Sequence, residues 1–140
     1  MKTIRPSSSY ELQVPDDAVE EVDERVISVW RADEQLLLQL SSFVRESGEQ
    51  ISAEKRLADR MVKEKQEWEI VSIVSRPSGN VDVAGGQTKG PNGTIWYHIY
   101  LTWPHFTIYA TISGPGNELS SEERWPFLAL RSIKLVSDFR

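Results

Sequence analysis

Both histidines of the chain lie in one aromatic segment, IWYHIYLTWPHF, which covers residues 95–106. Imidazole can act as a general base, a nucleophile or a metal ligand near neutral pH, so His98 and His105 are the most obvious candidates for chemistry. Each of those roles needs a partner, commonly a carboxylate that orients the ring. Over residues 83–117 the sequence has no carboxylate, and Lys89 is the only charged side chain. Any acid that orients either imidazole must therefore come from another part of the fold.

The spacing of the aromatic residues predicts a β-hairpin over 95–113 that turns at Pro104 and His105. In that hairpin the residue numbers of two opposed residues add up to 209. With this register, one face carries only hydrophobic side chains. The second face would carry rings with polar tips and small polar residues, opposed as Trp96–Ser113, His98–Thr111, Tyr100–Tyr109 and Thr102–Thr107. Cross-strand pairs of this kind stabilise a sheet by about 0.2–1 kcal/mol each, so the aromatic density has a structural explanation.

Two interpretations of this second face remain open. In the structural one, His98 shares a hydrogen bond with Thr111 or with a tyrosine hydroxyl, because neutral imidazole has one donor and one acceptor nitrogen. In the other, the face lines a pocket, and its candidate ligand-facing residues are Trp96, His98, Tyr100 and Tyr109. His105 is expected to be an exposed turn residue. A metal site that it shares with His98 is disfavoured, because the turn separates the two rings.

Carboxylates concentrate near the start of the chain. Residues 1–24 hold seven acids and two bases, which equals the whole net charge of −5, and the remainder holds fourteen of each. The candidate partner-binding patch consists of Asp16, Asp17, Glu20, Glu21, Asp23 and Glu24. A solvated turn and edge strand would explain the run structurally, since charges on an edge discourage aggregation. The functional alternative is a docking surface for a protein with a basic surface, whereas the lack of a basic stripe argues against nucleic-acid binding.

The sequence lacks the motifs of other chemistries. The segment GGQTKGPNG (85–93) is rich in glycine but does not have the G-x-x-x-x-G-K-[ST] order of a phosphate-binding loop. No G-x-S-x-G, H-E-x-x-H or dinucleotide-binding pattern occurs. Without cysteine there is no thiolate nucleophile, disulfide or thiolate-bound zinc. We therefore expect no catalytic residues, no metal site and no cofactor, and a protein that is not an enzyme.

Hydrophobic periodicity predicts the elements that position these residues. In addition to the hairpin, alternating or β-branched segments predict strands at 10–14, 25–30, 36–42, 69–75 and 81–85. Ser52 caps a predicted helix over 52–68, and a capping box of Ser120 and Glu123 opens a second helix over about 121–134. The order βββαββββα predicts an α+β fold, with a mostly antiparallel sheet of six to seven strands flanked by two main helices.

Length and composition indicate a single domain over 10–140, preceded by a disordered or extended lead over 1–9. The 140 residues suffice for a self-supporting core, and 39% of them are hydrophobic and 26% charged. No apolar run approaches the ~20 residues that span a bilayer, and the first residues lack the apolar region of a secretory signal. We expect a cytoplasmic protein that does not contact a membrane.

Three segments resemble the PsbP/Mog-like fold superfamily, in particular its uncharacterised bacterial branch. YELQVPDDAVEEVDERVISVW (10–30) is similar to the opening strand, VPD, acidic segment and second strand of those families. LLLQLSSF (36–43) is similar to their next strand, and SIKL (132–135) to the end of their closing helix. The resemblance implies an α/β/α sandwich and a non-catalytic role in binding or assembly. It also implies that the acidic segment, with Asp16, Asp17, Glu20 and Glu21, is a partner-docking surface.

Together these features predict a small bacterial protein-binding module: an adaptor, an effector chaperone or an immunity-type protein. The alternative is a small-ligand binder or an enzyme that uses the aromatic face around His98. A concave pocket and a shifted imidazole pKa would favour the alternative. The choice depends on whether the second helix covers that face or leaves it open.

Overall fold

The computed structural model describes residues 1–45, 48–119 and 121–136. Ten strands and two α-helices lie in these ranges. The strands are β1 Lys2–Ser7, β2 Tyr10–Val14, β3 Val19–Asp23, β4 Val26–Trp30, β5 Leu37–Val44, β6 Glu69–Val71, β7 Asp82–Lys89, β8 Thr94–Trp103, β9 Phe106–Pro115 and β10 Lys134–Leu135. The helices are α1 Ala53–Glu64 and α2 Trp125–Arg131.

The strands form two sheets. Seven strands form the main sheet in the order β3-β4-β5-β9-β8-β7-β6, and β1, β2 and β10 form a small sheet with β2 in the middle. All pairings among the described strands are antiparallel. Helix α1 packs against β7 and β8, and α2 packs against β2. The predicted α+β class, with a mostly antiparallel sheet of six to seven strands and two main helices, is confirmed.

The β8–β9 hairpin has the predicted register. Tyr100 opposes Tyr109, and every other pair of opposed residues also has numbers that sum to 209. The chain reverses at Pro104 and His105, and His105 adopts a left-handed backbone with a φ of 68°. Because consecutive residues of a strand point to opposite faces, one side of the hairpin enters the main core while Tyr100 and Tyr109 lie on the other side.

Two apolar clusters hold the sheets and helices together. The main core lies between the main sheet and the layer that contains the small sheet and α2. Its largest fully buried side chains include Tyr10, Leu12, Phe106 and Phe127. The second cluster lies on the opposite face of the main sheet, where Ala53, Leu57 and Met61 of α1 pack with Tyr100. The main sheet therefore has α1 on one face and α2 with the small sheet on the other.

Hydrophobic periodicity misses three elements, β1, β3 and β10, although the charge pattern of the acidic run offered an edge strand where β3 lies. The lead over 1–9 is extended rather than disordered, since Lys2–Ser7 pairs with β2. Each missed strand is short, exposed or without clean alternation of buried and exposed residues. The predicted order βββαββββα is therefore incomplete before α1, where five strands lie instead of three. It is correct between the helices, where four strands lie.

Several element boundaries also differ from the prediction. Strand β6 ends at Val71, four residues early, and β7 continues to Lys89, through part of the predicted glycine-rich loop. Helix α1 has the predicted N-cap, because the Ser52 side chain accepts a hydrogen bond from the backbone N–H of Lys55. The helix ends at Glu64, four residues before the predicted end.

The second helix is shorter than predicted. Helix α2 begins at Trp125 rather than near residue 121, and its N-cap residue, Arg124, makes no side-chain hydrogen bond to the helix. Pro126 lies in the first turn, where a missing N–H group is tolerated. Ser120, one half of the predicted capping box, lies outside the described residues.

Candidate functional site

His98 lies in β8, on the face of the main sheet that α1 packs against, and is 7% exposed. Its Nδ1 atom lies 2.7 Å from the hydroxyl oxygen of Tyr109, and its Nε2 atom lies 2.9 Å from Oγ1 of Thr88. Because neutral imidazole has one donor and one acceptor nitrogen, the two hydroxyls satisfy both. The predicted hydrogen bond to a tyrosine hydroxyl is confirmed, and Tyr109 rather than Thr111 is the partner.

Burial determines the charge state of this pair. Burial lowers the pKa of His98, because a buried imidazolium would lose its hydration. The charge of Glu64 raises this pKa by less than burial lowers it, and the charge of Arg60 lowers it a little further. Burial also raises the pKa of Tyr109 to about 12, so its hydroxyl stays protonated. Near pH 7 the His98 ring is therefore neutral, with both nitrogens hydrogen-bonded.

Arg60 of α1 completes this polar group, and the sequence reasoning missed it. Its Nε donates to the hydroxyl of Tyr100 at 2.6 Å, and its Nη1 donates to Oε1 of Glu64 at 3.0 Å. The guanidinium carbon lies 3.8 Å from the centroid of the Tyr109 ring, which is a cation–π contact. The only sequence signal is the i,i+4 spacing of Arg60 and Glu64. That spacing does not indicate that the helix crosses two tyrosines.

Much of this sheet face is left uncovered by α1. The helix packs on β7 and β8, and α2 belongs to the core on the opposite face. Across the neighbouring strands, three rows of side chains form what we call the open sheet face: Trp30, Leu37 and Trp96; Ser28, Gln39 and Thr111; Val26, Ser41 and Tyr109. All nine residues are partly exposed. The first helix, not the second, therefore decides how much of the aromatic face is covered.

A shallow cavity of about 280 Å³ lies where the open sheet face meets α1. Three of the four predicted ligand-facing residues line it, namely Trp96, His98 and Tyr109, together with Arg60. The fourth, Tyr100, is 4% exposed and packs with α1. The structure thus brings these four residues together but leaves only three of them beside open space.

The six predicted partner-binding acids do not form one cluster. Asp17 pairs with Arg31 through two hydrogen bonds of 2.8 and 3.0 Å, which lowers the pKa of Asp17. Asp16 lies 3.2 Å from the amino group of Met1. Glu24 lies in the turn between β3 and β4, in a left-handed backbone with a φ of 54°. These three acids lie outside the strand β3.

The other three acids lie on β3, the edge strand of the main sheet, whose five residues are all exposed. Glu20 opposes Val29, which is buried in the main core, so Glu20 lies on that side of the sheet. Glu21 opposes Ser28, so Glu21 and Asp23 border the open sheet face. The predicted edge strand is confirmed. Part of the acidic patch and the aromatic face form one continuous surface.

Two other sequence features have structural roles. His105 lies in the predicted turn, is partly exposed, and has its Nδ1 atom 3.2 Å from the carbonyl oxygen of Arg45. In the glycine-rich segment, a Cβ atom at Gly86 would lie 2.8 Å from Cε3 of Trp68. Glycine at this position lets the tryptophan ring pack directly on β7. Gly86 therefore serves close packing of a strand.

Within residues 1–45, 48–119 and 121–136, no group of three or more His, Cys, Asp or Glu side chains is arranged to hold a metal ion. Nor does this part of the chain contain a helix that is long and apolar enough to cross a membrane. The candidate site is therefore the open sheet face, its acidic border on β3 and the cavity beside Arg60.

Comparison with known proteins identifies a similar fold but no family. No protein-family model and no curated protein matches the chain. A crystal structure of a protein from Bacteroides thetaiotaomicron VPI-5482, at 1.50 Å resolution, is similar with a TM-score of 0.63 and 11% sequence identity, over 94% of this chain. The chain spans 46% of the length of that protein. At this identity the similarity concerns the fold alone.

Proposed function

We propose that this protein is a small non-enzymatic protein-binding module that acts in the cytoplasm by contacting a protein with a basic surface. The observation that carries the proposal is the continuity of the open sheet face with Glu21 and Asp23 of β3. Partly exposed aromatic side chains beside a polar rim are typical of protein interfaces. An adaptor, an effector chaperone or an immunity-type protein would each use such a surface.

The environment of His98 supports a binding role rather than a catalytic one. A general base or nucleophile needs a nitrogen that can reach the substrate. Thr88 and Tyr109 occupy both ring nitrogens, and the residue is 7% exposed. A substrate would have to break a buried hydrogen bond before it could contact the ring. We therefore assign His98 to the packing of the sheet.

The layer order also supports the proposed relation to the PsbP/Mog-like superfamily. Helix α1 lies on one face of the antiparallel main sheet and α2 on the other. This order agrees with the α/β/α sandwich that the resemblance implies. A sequence profile of close relatives that aligned with those families along 10–135 would support the relation, and an alignment with another family over the same range would remove it.

Affinity capture from source-cell lysate tests the proposed function. The immobilised chain is expected to retain a protein at low ionic strength and to release it as salt rises, because salt screens exposed charges. Glu21→Lys with Asp23→Lys should retain less of that protein. The matched control is Asp59→Lys with Glu69→Lys, which changes the net charge equally on exposed positions of α1 and of the opposite sheet edge. Recovery of no protein, or equal loss in both double variants, would reject the proposal.

The cavity beside Arg60 favours a second candidate function, the binding of a small ligand or catalysis around His98. Its volume of about 280 Å³ lies near the lower limit of ligand pockets, and a guanidinium and several hydroxyls line it. Thermal shift measurements against metabolites test this function, since a ligand at ~100 times its Kd stabilises a protein by about 2.7 kcal/mol. Thr111→Trp should fill the cavity and remove the shift. An unchanged shift in that variant, or no shift with any metabolite, counts against it.

A further inference from the structure

We propose that the open sheet face receives one amphipathic α-helix of the partner, which lies beside α1 and turns a basic flank towards Glu21 and Asp23. This inference rests on the proposed function and specifies which element of the partner makes the contact. The width of the uncovered sheet, the side chains on its surface and the charges at its borders each support this occupant.

The uncovered part of the main sheet has the width of one helix. Neighbouring strands lie about 4.8 Å apart, so β3, β4, β5 and β9 span roughly 14 Å between the outer two. A helix with its side chains is about 10–12 Å wide, and packed helices lie about 8–10 Å apart. Helix α1 already packs over β7 and β8. A helix over β5 and β9 would lie two strands further along, which is close to one interhelical distance.

The side chains of the open sheet face suit an amphipathic helix. The row of Trp30, Leu37 and Trp96 offers partly exposed apolar groups, and the next row, centred on Gln39, is polar. The rows are about 6.6 Å apart, because alternate residues of a strand are separated by two rises of about 3.3 Å. A helix rises about 5.4 Å per turn, so the apolar side chains on successive turns of the partner's helix would meet successive rows of the open sheet face.

Charges at the two borders favour a basic helix and determine its orientation. At the β3 border, neither Glu21 nor Asp23 forms an ion pair within the described part of the chain. At the α1 border, Arg60 and Glu64 are already paired at 3.0 Å. Lysine or arginine on the flank that faces β3 would meet unpaired carboxylates, whereas the flank that faces α1 would meet a neutral pair.

Two other occupants fit less well. A strand added to the outer edge of β3 would have only five residues to pair with, and charges along an edge discourage such pairing. A second copy of the chain would carry the same net charge of −5 and would bring its own acidic border to a surface that is already acidic. Charge complementarity therefore favours a basic partner over self-association.

Glu20 and Glu21 provide a matched test, because they are neighbours on one exposed strand but lie on opposite sides of the sheet. The probe is a labelled synthetic peptide of about four helical turns, with a leucine stripe and one lysine flank, and the control probe has the same composition in scrambled order. Fluorescence anisotropy with the full chain at low salt is expected to show tighter binding of the ordered peptide. Glu21→Lys should weaken that binding about three- to tenfold, and Glu20→Lys by less than about twofold.

Equal weakening by the two variants would mean general charge attraction and would overturn the helix placement, as would equal binding of the scrambled peptide. A photo-crosslinking amino acid at Gln39 should link to the ordered peptide, whereas one at Thr3 of β1, in the small sheet, should not. A link from Gln39 to a second copy of the chain would also overturn the inference. If lysate capture recovers a partner but the Glu20 and Glu21 variants behave alike, the proposed function survives without the helix. If capture recovers nothing, the proposed function itself fails.

Discussion

Tyr109→Phe removes one hydroxyl and leaves the aromatic packing in place. The hydroxyl lies 2.7 Å from Nδ1 of His98, which is 7% exposed. A phenylalanine ring can keep the contact with Tyr100, whose ring centroid lies 4.8 Å away, and the contact with the guanidinium of Arg60. The variant therefore isolates the energetic effect of the hydrogen bond between the hydroxyl and the imidazole.

The expected loss follows from what the imidazole would lack. A buried polar atom without a partner costs about 1–3 kcal/mol. Because Tyr109 is partly exposed, water can replace part of the lost bond, and we expect a decrease of about 1.5 kcal/mol in the free energy of unfolding. Tyr97→Phe is the matched control. The Tyr97 hydroxyl donates to the carbonyl oxygen of Leu119 at 3.4 Å, so its loss should cost less than about 0.5 kcal/mol.

Urea unfolding followed by circular dichroism measures both variants. With a urea dependence of about 1–3 kcal/mol per molar, Tyr109→Phe should lower the midpoint by roughly 0.5–1.5 M. Tyr97→Phe should leave the midpoint nearly unchanged. Equal midpoints for the two variants, or a larger loss in Tyr97→Phe, would refute the view that the buried His98 depends on Tyr109.

Three further predictions concern the same scaffold. Burial lowers the pKa of His98 in the folded state. Below about pH 6.5 the unfolded chain therefore binds more protons than the folded chain, and the stability that is fully present above that pH is lost as the pH falls. Urea midpoints at about pH 7.5 and pH 5.5 should differ more in the wild type than in His98→Gln. Ser52→Ala removes the side-chain acceptor that lies 3.2 Å from the backbone N–H of Lys55, and should cost about 1 kcal/mol of unfolding free energy, most of which Ser52→Asp restores. Gly86→Ala places a Cβ atom 2.8 Å from the Trp68 ring and should lower the free energy of unfolding, measured by thermal unfolding, by about 1–3 kcal/mol. In a Trp68→Leu background this loss should largely disappear. A loss that persists there would mean that backbone strain, not the contact with the ring, causes it.

The hairpin was predictable because its information is local. A turn at Pro104 and His105 and the alternation of side chains are enough to determine which residues face each other, and a slip of one residue would move the apolar side into solvent. A hydrogen bond from His98 to Thr111 or to a tyrosine hydroxyl could therefore be proposed from the sequence, and the structure identifies Tyr109 as the partner. The cap at Ser52 was predictable for the same reason, since donor and acceptor are three residues apart.

The rest of the candidate site had no local signal. Thr88 reaches His98 only because β7 pairs with β8, and Arg60 reaches Tyr109 only because α1 crosses those strands. The acids of β3 gave a charge signal, but the sequence did not show that Glu20 and Glu21 border different faces of a particular sheet. Strand order brings such residues together, and strand order depends on contacts between distant segments.

The sequence by itself determined the alternation along β2, β8 and β9, the register of the hairpin and the start of the first helix, because neighbouring residues supply both sides of those interactions. The tertiary structure decided that α1 covers β7 and β8 but leaves β4, β5 and β9 open. It also placed Glu21 and Asp23 beside that open surface. The physical reason is that the packing of a helix on a sheet, and the order of strands within it, minimise the exposed apolar area of the whole chain.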